Sequence, residues 1–315
     1  MAKNKIPDIV PDLTKHFYNY KGYKVFPRIN QYDHYEQIGT SKISIKRNSN
    51  VCIYCGSIFN DYKLNHAHLI PELFGQNKSH NKYECNQCNE LSGKWETSLG
   101  TFTTPLRVVS KIKNKRGKIP KFKSRLDEFK TQSIIYFDDN DVLKGHLATR
   151  DDFIIDKETN KGKLKFRLGS FNPYDVYRAF LKVAISLMPD NILTQEKWMV
   201  EYLFKDKPDY KIFPIIYMIF IDDGAFKEPF FELRRYQGNF KYHPEYILDA
   251  YFGKAIIQII LPIDIPNENI FIQLPPVTQI QSSRSEYQVE KVDLSNNKNE
   301  RRDWTFNMQF VNQIK

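Results

Sequence analysis

Long apolar runs are missing from this 315-residue sequence. The longest, from Phe213 to Ile221, is too short to cross hydrocarbon, so no membrane association is expected. The first residues, Met-Ala-Lys-Asn-Lys, lack the apolar run of a secretion signal, and the expected compartment is the cytoplasm. Cysteine is scarce: there are four. In a reducing compartment such cysteines point to metal rather than to disulfides. Residues 131–315 have no glycine-rich phosphate loop, no dinucleotide fingerprint and no second metal cluster. No internal repeat is present, which sets aside solenoid arrays. What is abundant is core material. Hydrophobic residues make up 41% and aromatics 14% of the chain, which excludes global disorder.

Charge is unevenly spread. Of a net +10, residues 1–130 hold 23 Lys+Arg against 11 Asp+Glu, and the remainder holds 24 against 26. A basic part joined to a neutral part suggests a polyanion-binding segment beside a segment with another task. A lysine-rich solvated surface is the plainer alternative. The excess is densest over 107–130, where Lys111, Lys113, Lys115, Arg116 and Lys118 are candidates to contact a nucleic-acid backbone. Gly117 and Pro120 interrupt this run, so a hairpin or linker is expected rather than one helix.

Local patterns predict an α+β chain. Residues 42–46 alternate and read as a strand. Further short strands are expected at 133–137, 143–149, 153–155, 164–168, 215–221, 230–235, 255–261, 270–274 and 304–310. Asn172-Pro173 reads as a cap and first turn, followed by Val176, Tyr177, Phe180, Leu181, Ala184, Leu187 and Met188 at helical spacing. That predicts an amphipathic helix ending before Pro189, with a second helix capped by Thr194. Tyr236, Phe240, Tyr242, Tyr246 and Tyr251 are either core or a stacking surface.

The four cysteines form two Cys-x-x-Cys pairs, Cys52/Cys55 and Cys85/Cys88, with none left over. Four soft thiolates so paired suit tetrahedral structural zinc. The 29 residues between the pairs bury little core on their own, so the metal is expected to be part of the fold. A thioredoxin-like redox site would need one pair after a βαβ strand.

Inside that gap lies His66-Ala67-His68-Leu69-Ile70-Pro71-Glu72, with Gly75, Asn81 and Asn89 following in order. With the cysteine pairs, these residues resemble the HNH endonucleases, zinc-knuckled ββα-metal nucleases with a His-x-Ile-Pro-Glu block before Cys-x-x-Cys-Asn. Gly93 and Glu96 fit the downstream part of that pattern. The resemblance covers about residues 50–100, a sixth of the chain. It implies a small ββα module with His68 as general base, Asn81 as the residue that pins the loop, and Asn89 as a ligand of a catalytic Mg2+ or Mn2+ distinct from the zinc. It also implies DNA as substrate, double-stranded for preference, with RNA a lesser option.

One departure stands out. The family commonly has Asp, Glu or His directly before the base, and here that residue is Ala67. His66, two residues earlier on a strand, would share the face of His68. Glu96 lies two helical turns beyond Asn89. Both are candidate metal ligands, with Glu72 a third, and packing or salt-bridge roles are the alternatives.

The expected organisation is an extension over 1–49, an HNH module over 50–104, a basic segment over 105–130 and a mixed α+β region with antiparallel sheet over 131–315. That last region would recognise DNA features or sense an activating ligand or partner, as in restriction or anti-phage effectors. A homodimer would pair two sites for double-strand cutting. The competing function is a zinc-braced nucleic-acid-binding protein without catalysis.

Overall fold

The computed structural model describes residues 18–20, 23–27, 35–43, 46–47, 50–58, 67–75, 80–114, 116–124, 131–138, 142–147, 152–156, 158–159, 161–206, 214–221, 226–238, 244–262, 272–274 and 287–309. The elements begin with β1 (Tyr18–Tyr20), β2 (Tyr23–Pro27), β3 (Tyr35–Thr40) and α1 (Asn86–Val109). Next come β4 (Phe122–Lys123), β5 (Ile134–Phe137), β6 (Leu143–His146), β7 (Phe153–Asp156) and β8 (Lys161–Arg167). Helices α2 (Pro173–Leu187), α3 (Asp190–Gln195) and α4 (Lys197–Leu203) follow. The rest is β9 (Ile215–Ile221), β10 (Phe226–Tyr236), β11 (Tyr246–Gly253), β12 (Ala255–Ile260), β13 (Ile272–Leu274), β14 (Tyr287–Asp293) and β15 (Asp303–Gln309). The architecture is mixed α+β with largely antiparallel sheets.

A six-stranded antiparallel sheet in the order β14-β9-β12-β11-β10-β3 forms the main layer. Every residue of β11 and β12 is buried, as expected for central strands rich in Ile, Leu, Phe and Tyr. Helix α2 packs on one face. Its start is set locally: Asn172 Oδ1 accepts the N–H of Asp175 at 3.1 Å, and Pro173 occupies the first turn. Only Asp175 of its fifteen residues escapes full burial, so the polar side predicted for solvent is covered too. What covers it is α1 together with Tyr54, Asn81 and Glu84 of the preceding segment. One hydrophobic core then runs from Cys52 and Tyr54 through Phe102, Phe180 and Phe252 to Trp304.

Helix α1 continues to Val109 and ends at Ser110. The β11–β12 turn docks on that end, where the N–H of Lys254 donates to Ser110 Oγ at 2.9 Å. Gly253 in this turn has φ +53, and a Cβ there would lie 2.2 Å from Ser110 Cβ, so a larger residue does not fit. The small sheet β15-β8-β7 meets α1 through an edge-on contact between Trp304 and Phe102 at 4.8 Å.

Several local expectations change. The strand expected over 42–46 is β3 instead, and Lys42 and Ile43 belong to the turn after it, while residues 44–45 lie outside the described set. Thr194 lies inside α3, and the next helix begins at Lys197 after Glu196. Strand β11 was hidden in the aromatic group, because its residues are buried on both faces and lack alternation. Tyr236, Tyr246 and Tyr251 are accordingly buried in the sheet, and Phe240 and Tyr242 lie outside the described residues.

Candidate functional site

The first cysteine pair sits on a tight knuckle. The N–H of Gly56 donates to Cys52 O and the N–H of Cys52 to Ser57 O, each at 2.9 Å. The second pair opens α1: Cys85 is its N-cap, and its sulfur accepts the N–H of Cys88 at 3.5 Å. The N–H of Cys85 in turn approaches Cys52 Sγ at 3.4 Å. All four sulfurs lie within 4.8 Å of one another, and Cys55 and Cys85 are 3.6 Å apart. Zinc–sulfur bonds of about 2.3 Å give a tetrahedron with edges of about 3.8 Å, whereas a disulfide needs about 2.05 Å. The four free thiols therefore fit a zinc ion. The hydrogen bond from Cys88 holds the Cys52 thiol down to about 4, and the same bond pushes Cys88 up. A bound metal would replace these shared protons.

Between the first two cysteines, Tyr54 is buried and reaches α2. Its hydroxyl donates to Lys182 O at 3.0 Å and lies 2.5 Å from Ser186 Oγ. Arg47 docks the neighbouring chain on the same helix end, through Met188 O at 2.7 Å and Asp190.

Between the cysteine pairs, His68 and His80 form an antiparallel bridge, beside a 2.9 Å bond from the N–H of Asn81 to Ala67 O. Opposed residues of such a pair share a face, so the two imidazoles meet with ring centres 4.9 Å apart. His68 Nε2 lies 3.1 Å from Glu72 Oε1. Glu72 starts a single 3-10 turn, Glu72–Phe74, which ends at Gly75 with φ +127, a conformation that favours glycine. Phe74 anchors this turn in the core, its ring 4.5 Å from that of Phe252 and 5.6 Å from that of Phe231.

Asn81 is buried. Its Oδ1 accepts the N–H of Tyr83 at 3.2 Å, and its Nδ2 donates to Glu84 Oε2 at 3.2 Å and Ser186 Oγ at 3.1 Å. Asn89 lies in the first turn of α1, half-buried, with its N–H on Cys85 O and its carbonyl accepting from Ser92 Oγ. Glu96 sits with its carboxylate 3.6 Å from Lys182 Nζ, a salt-bridge setting. Lys182 also lies 2.8 Å from Glu84 Oε1, and burial pushes Glu84 up to about 7 despite that cation. His66 and Lys115 lie outside the described residues. Among the described residues, the cysteines are the one group of three or more His, Cys, Asp or Glu able to hold a metal. Ala67 is buried and has no ligating atom.

Lys111, Lys113, Arg116 and Lys118 are exposed beyond the end of α1. Lys111 continues the helix end with φ 55, and its ammonium lies 4.6 Å from the ring centre of Phe137.

The structure adds two residues to the site. Glu72 was the last of three ligand candidates and is the carboxylate found at His68. His80 was missed, although its place directly before Asn81 puts it opposite His68 once the chain doubles back.

No helix among the described residues is long and apolar enough to cross a membrane. No curated protein and no solved structure matches the chain. Residues 52–95 match the HNH endonuclease family. The chain thus carries an HNH-like endonuclease domain with a four-cysteine cluster capable of holding zinc.

Proposed function

We propose that the chain is an endonuclease that hydrolyses DNA phosphodiester bonds at the His68 hairpin. The observation that carries this reading is the 3.1 Å pairing of His68 Nε2 with Glu72 within the segment that matches the HNH endonuclease family. Glu72 fixes the ring at Nε2 while Nδ1 is buried, so proton exchange with water falls to the Nε2 edge. An imidazole so held is suited to take a proton from water at neutral pH. Glu72 then faces the imidazolium that forms and stabilises it. His80, exposed beside it, offers a donor to a phosphate oxygen. The divalent ion implied by the resemblance would supply charge to the developing oxyanion. The chemistry assigned to this chain's own residues is that of His68 and Glu72. Lys113, Arg116 and Lys118 would hold phosphates flanking the cut.

In this reading the region over 131–315 recognises DNA or an activating ligand, as suits a restriction or anti-phage effector. Nicking of supercoiled plasmid across a series of magnesium, manganese and other divalent ions tests it, with His68→Ala as control. Cleavage is expected from wild type and lost in the variant while zinc content and melting temperature stay unchanged. Ala67, which has no ligating atom where the resemblance expects a metal ligand, favours one competitor, a zinc-braced protein that binds DNA without cutting it. That competitor predicts a DNA mobility shift with no nicking under any metal.

A further inference from the structure

Helix α2 carries Arg178, Lys182 and Ser186 at intervals of four residues, hence on one face, and all three are buried. This stripe meets the HNH-like domain at consecutive levels. Arg178 stacks over Trp95 of α1 at 5.6 Å. One turn on, Lys182 Nζ donates to Ser92 Oγ at 2.6 Å and pairs with Glu84 at 2.8 Å. One turn further, Ser186 Oγ meets Asn81 Nδ2 at 3.1 Å and the Tyr54 hydroxyl.

The middle level requires explanation. The Lys182 side chain is 7% exposed and that of Glu84 is 0% exposed. A buried ion pair is weak support for stability, because apolar side chains of similar volume commonly do as well. What the pair does provide is a carboxyl oxygen held in place as acceptor for Asn81. Glu84 Oε1 holds Lys182 while Oε2 holds Asn81, and the main-chain N–H of Asn81 holds the carbonyl of Ala67, next to His68.

We propose that Lys182, far outside the matched segment, is a positioning residue for the cleavage reaction. Acting through Glu84 and Asn81, it sets the hairpin that presents His68 to its substrate. This role rests on the nuclease reading for its kinetic consequence, but the placing of His68 is measurable without it.

The test compares Lys182→Met, Lys182→Arg and a surface control, Lys197→Met, in the zinc-loaded full chain. Plasmid nicking is measured alongside the imidazole 15N resonances of His68, assigned with His68→Ala. Misplacement of a reacting group by about 1 Å costs on the order of 10²-fold. Lys182→Met is therefore expected to lower kcat by that order with KM unchanged and to move the His68 resonances. Lys182→Arg, which keeps the buried cation, restores most of the rate, and the control matches wild type. Should Lys182→Met fail to retain zinc, Lys182→Gln combined with Glu84→Gln removes both charges together and is expected to show the same two effects in smaller degree. A folded variant with wild-type kcat and unmoved His68 resonances overturns the proposal. If wild type fails to nick under any metal while Lys182→Met still moves those resonances, the nuclease reading falls and the positioning of His68 by Lys182 stands.

Discussion

Chelation of the clustered cysteines' metal is expected to open the knuckle while leaving the sheet folded. An isolated zinc finger gains about 10–16 kcal/mol from its metal and unfolds without it. Here the module shares a core with α2 and the sheet. Ile70 and Phe74 are each 1% exposed and Tyr54 is 6% exposed. Burial of such side chains contributes about 1.5–3 kcal/mol each, roughly 5–9 kcal/mol together as an upper estimate. Two of the three, Ile70 and Phe74, lie at the turn beyond His68, whereas residues 52–57 retain Tyr54 alone. After chelation, the amides of Cys52, Ile53 and Gly56, hydrogen-bonded to Ser57, Tyr83 and Cys52, lose the constraint of four thiolates. Their hydrogen exchange should quicken by at least about 10³-fold, equivalent to about 4 kcal/mol. Amides of β11 and β12 should keep their protection, because strands buried on both faces draw nothing from the cluster. Exchange mass spectrometry of chelated and zinc-loaded protein reads both sets in one experiment. Uniform acceleration across the chain would refute the shared-core reasoning. Unchanged exchange at residues 52–57 would refute metal binding by the cysteines.

Phe74→Ala should cost about 3–5 kcal/mol by emptying a packed ring site among Phe180, Phe231 and Phe252, measurable as a shift in denaturant midpoint. A loss below about 1 kcal/mol would mean that the turn is not anchored through this ring. Tyr54→Phe should cost only about 1 kcal/mol, because Ser186 Oγ keeps its bonds to Asn81 and Lys182 O when the phenol is removed. Burial pushes the Glu196 carboxyl above its ordinary 4.5, against the bonds it accepts from Trp198 and Tyr246. The native state then holds that proton longer than the unfolded chain, so its stabilisation is present below 4.5 and is lost as pH rises through the raised value. Glu196→Gln should flatten the fall in melting temperature over that window, and an identical slope in the variant would exclude Glu196 as its source. Replacing Lys113, Arg116 and Lys118 by Ser should reduce the slope of log affinity against log salt by about 0.9 for each phosphate no longer neutralised; an unchanged slope would place the DNA elsewhere.

Local signals were legible where the physics is local. The paired cysteines, the cap at Asn172 and the β-branched runs of β9 and β12 all act on their own neighbours in the chain, and the structure keeps each of them. Glu96 shows the limit. Helical spacing put it on the face of Asn89, yet spacing is silent about what lies opposite, and Lys182 of a distant helix lies beside it. Strand β3 illustrates the same limit, since an edge strand with mixed burial has no clean alternation to read.

By itself the sequence determined that a zinc-competent cluster surrounds a histidine, because ligand type and spacing are properties of the chain. Only the tertiary structure decided which groups surround that histidine. His80 meets it through an antiparallel bridge and Glu72 through the 3-10 turn that follows. The polar stripe of α2, which periodicity assigns to solvent, is buried because α1 and the knuckle supply Glu84, Ser92 and Asn81 as partners. Periodicity tells which residues share a face; burial of that face depends on complementary charge arriving from segments about ninety residues away in sequence.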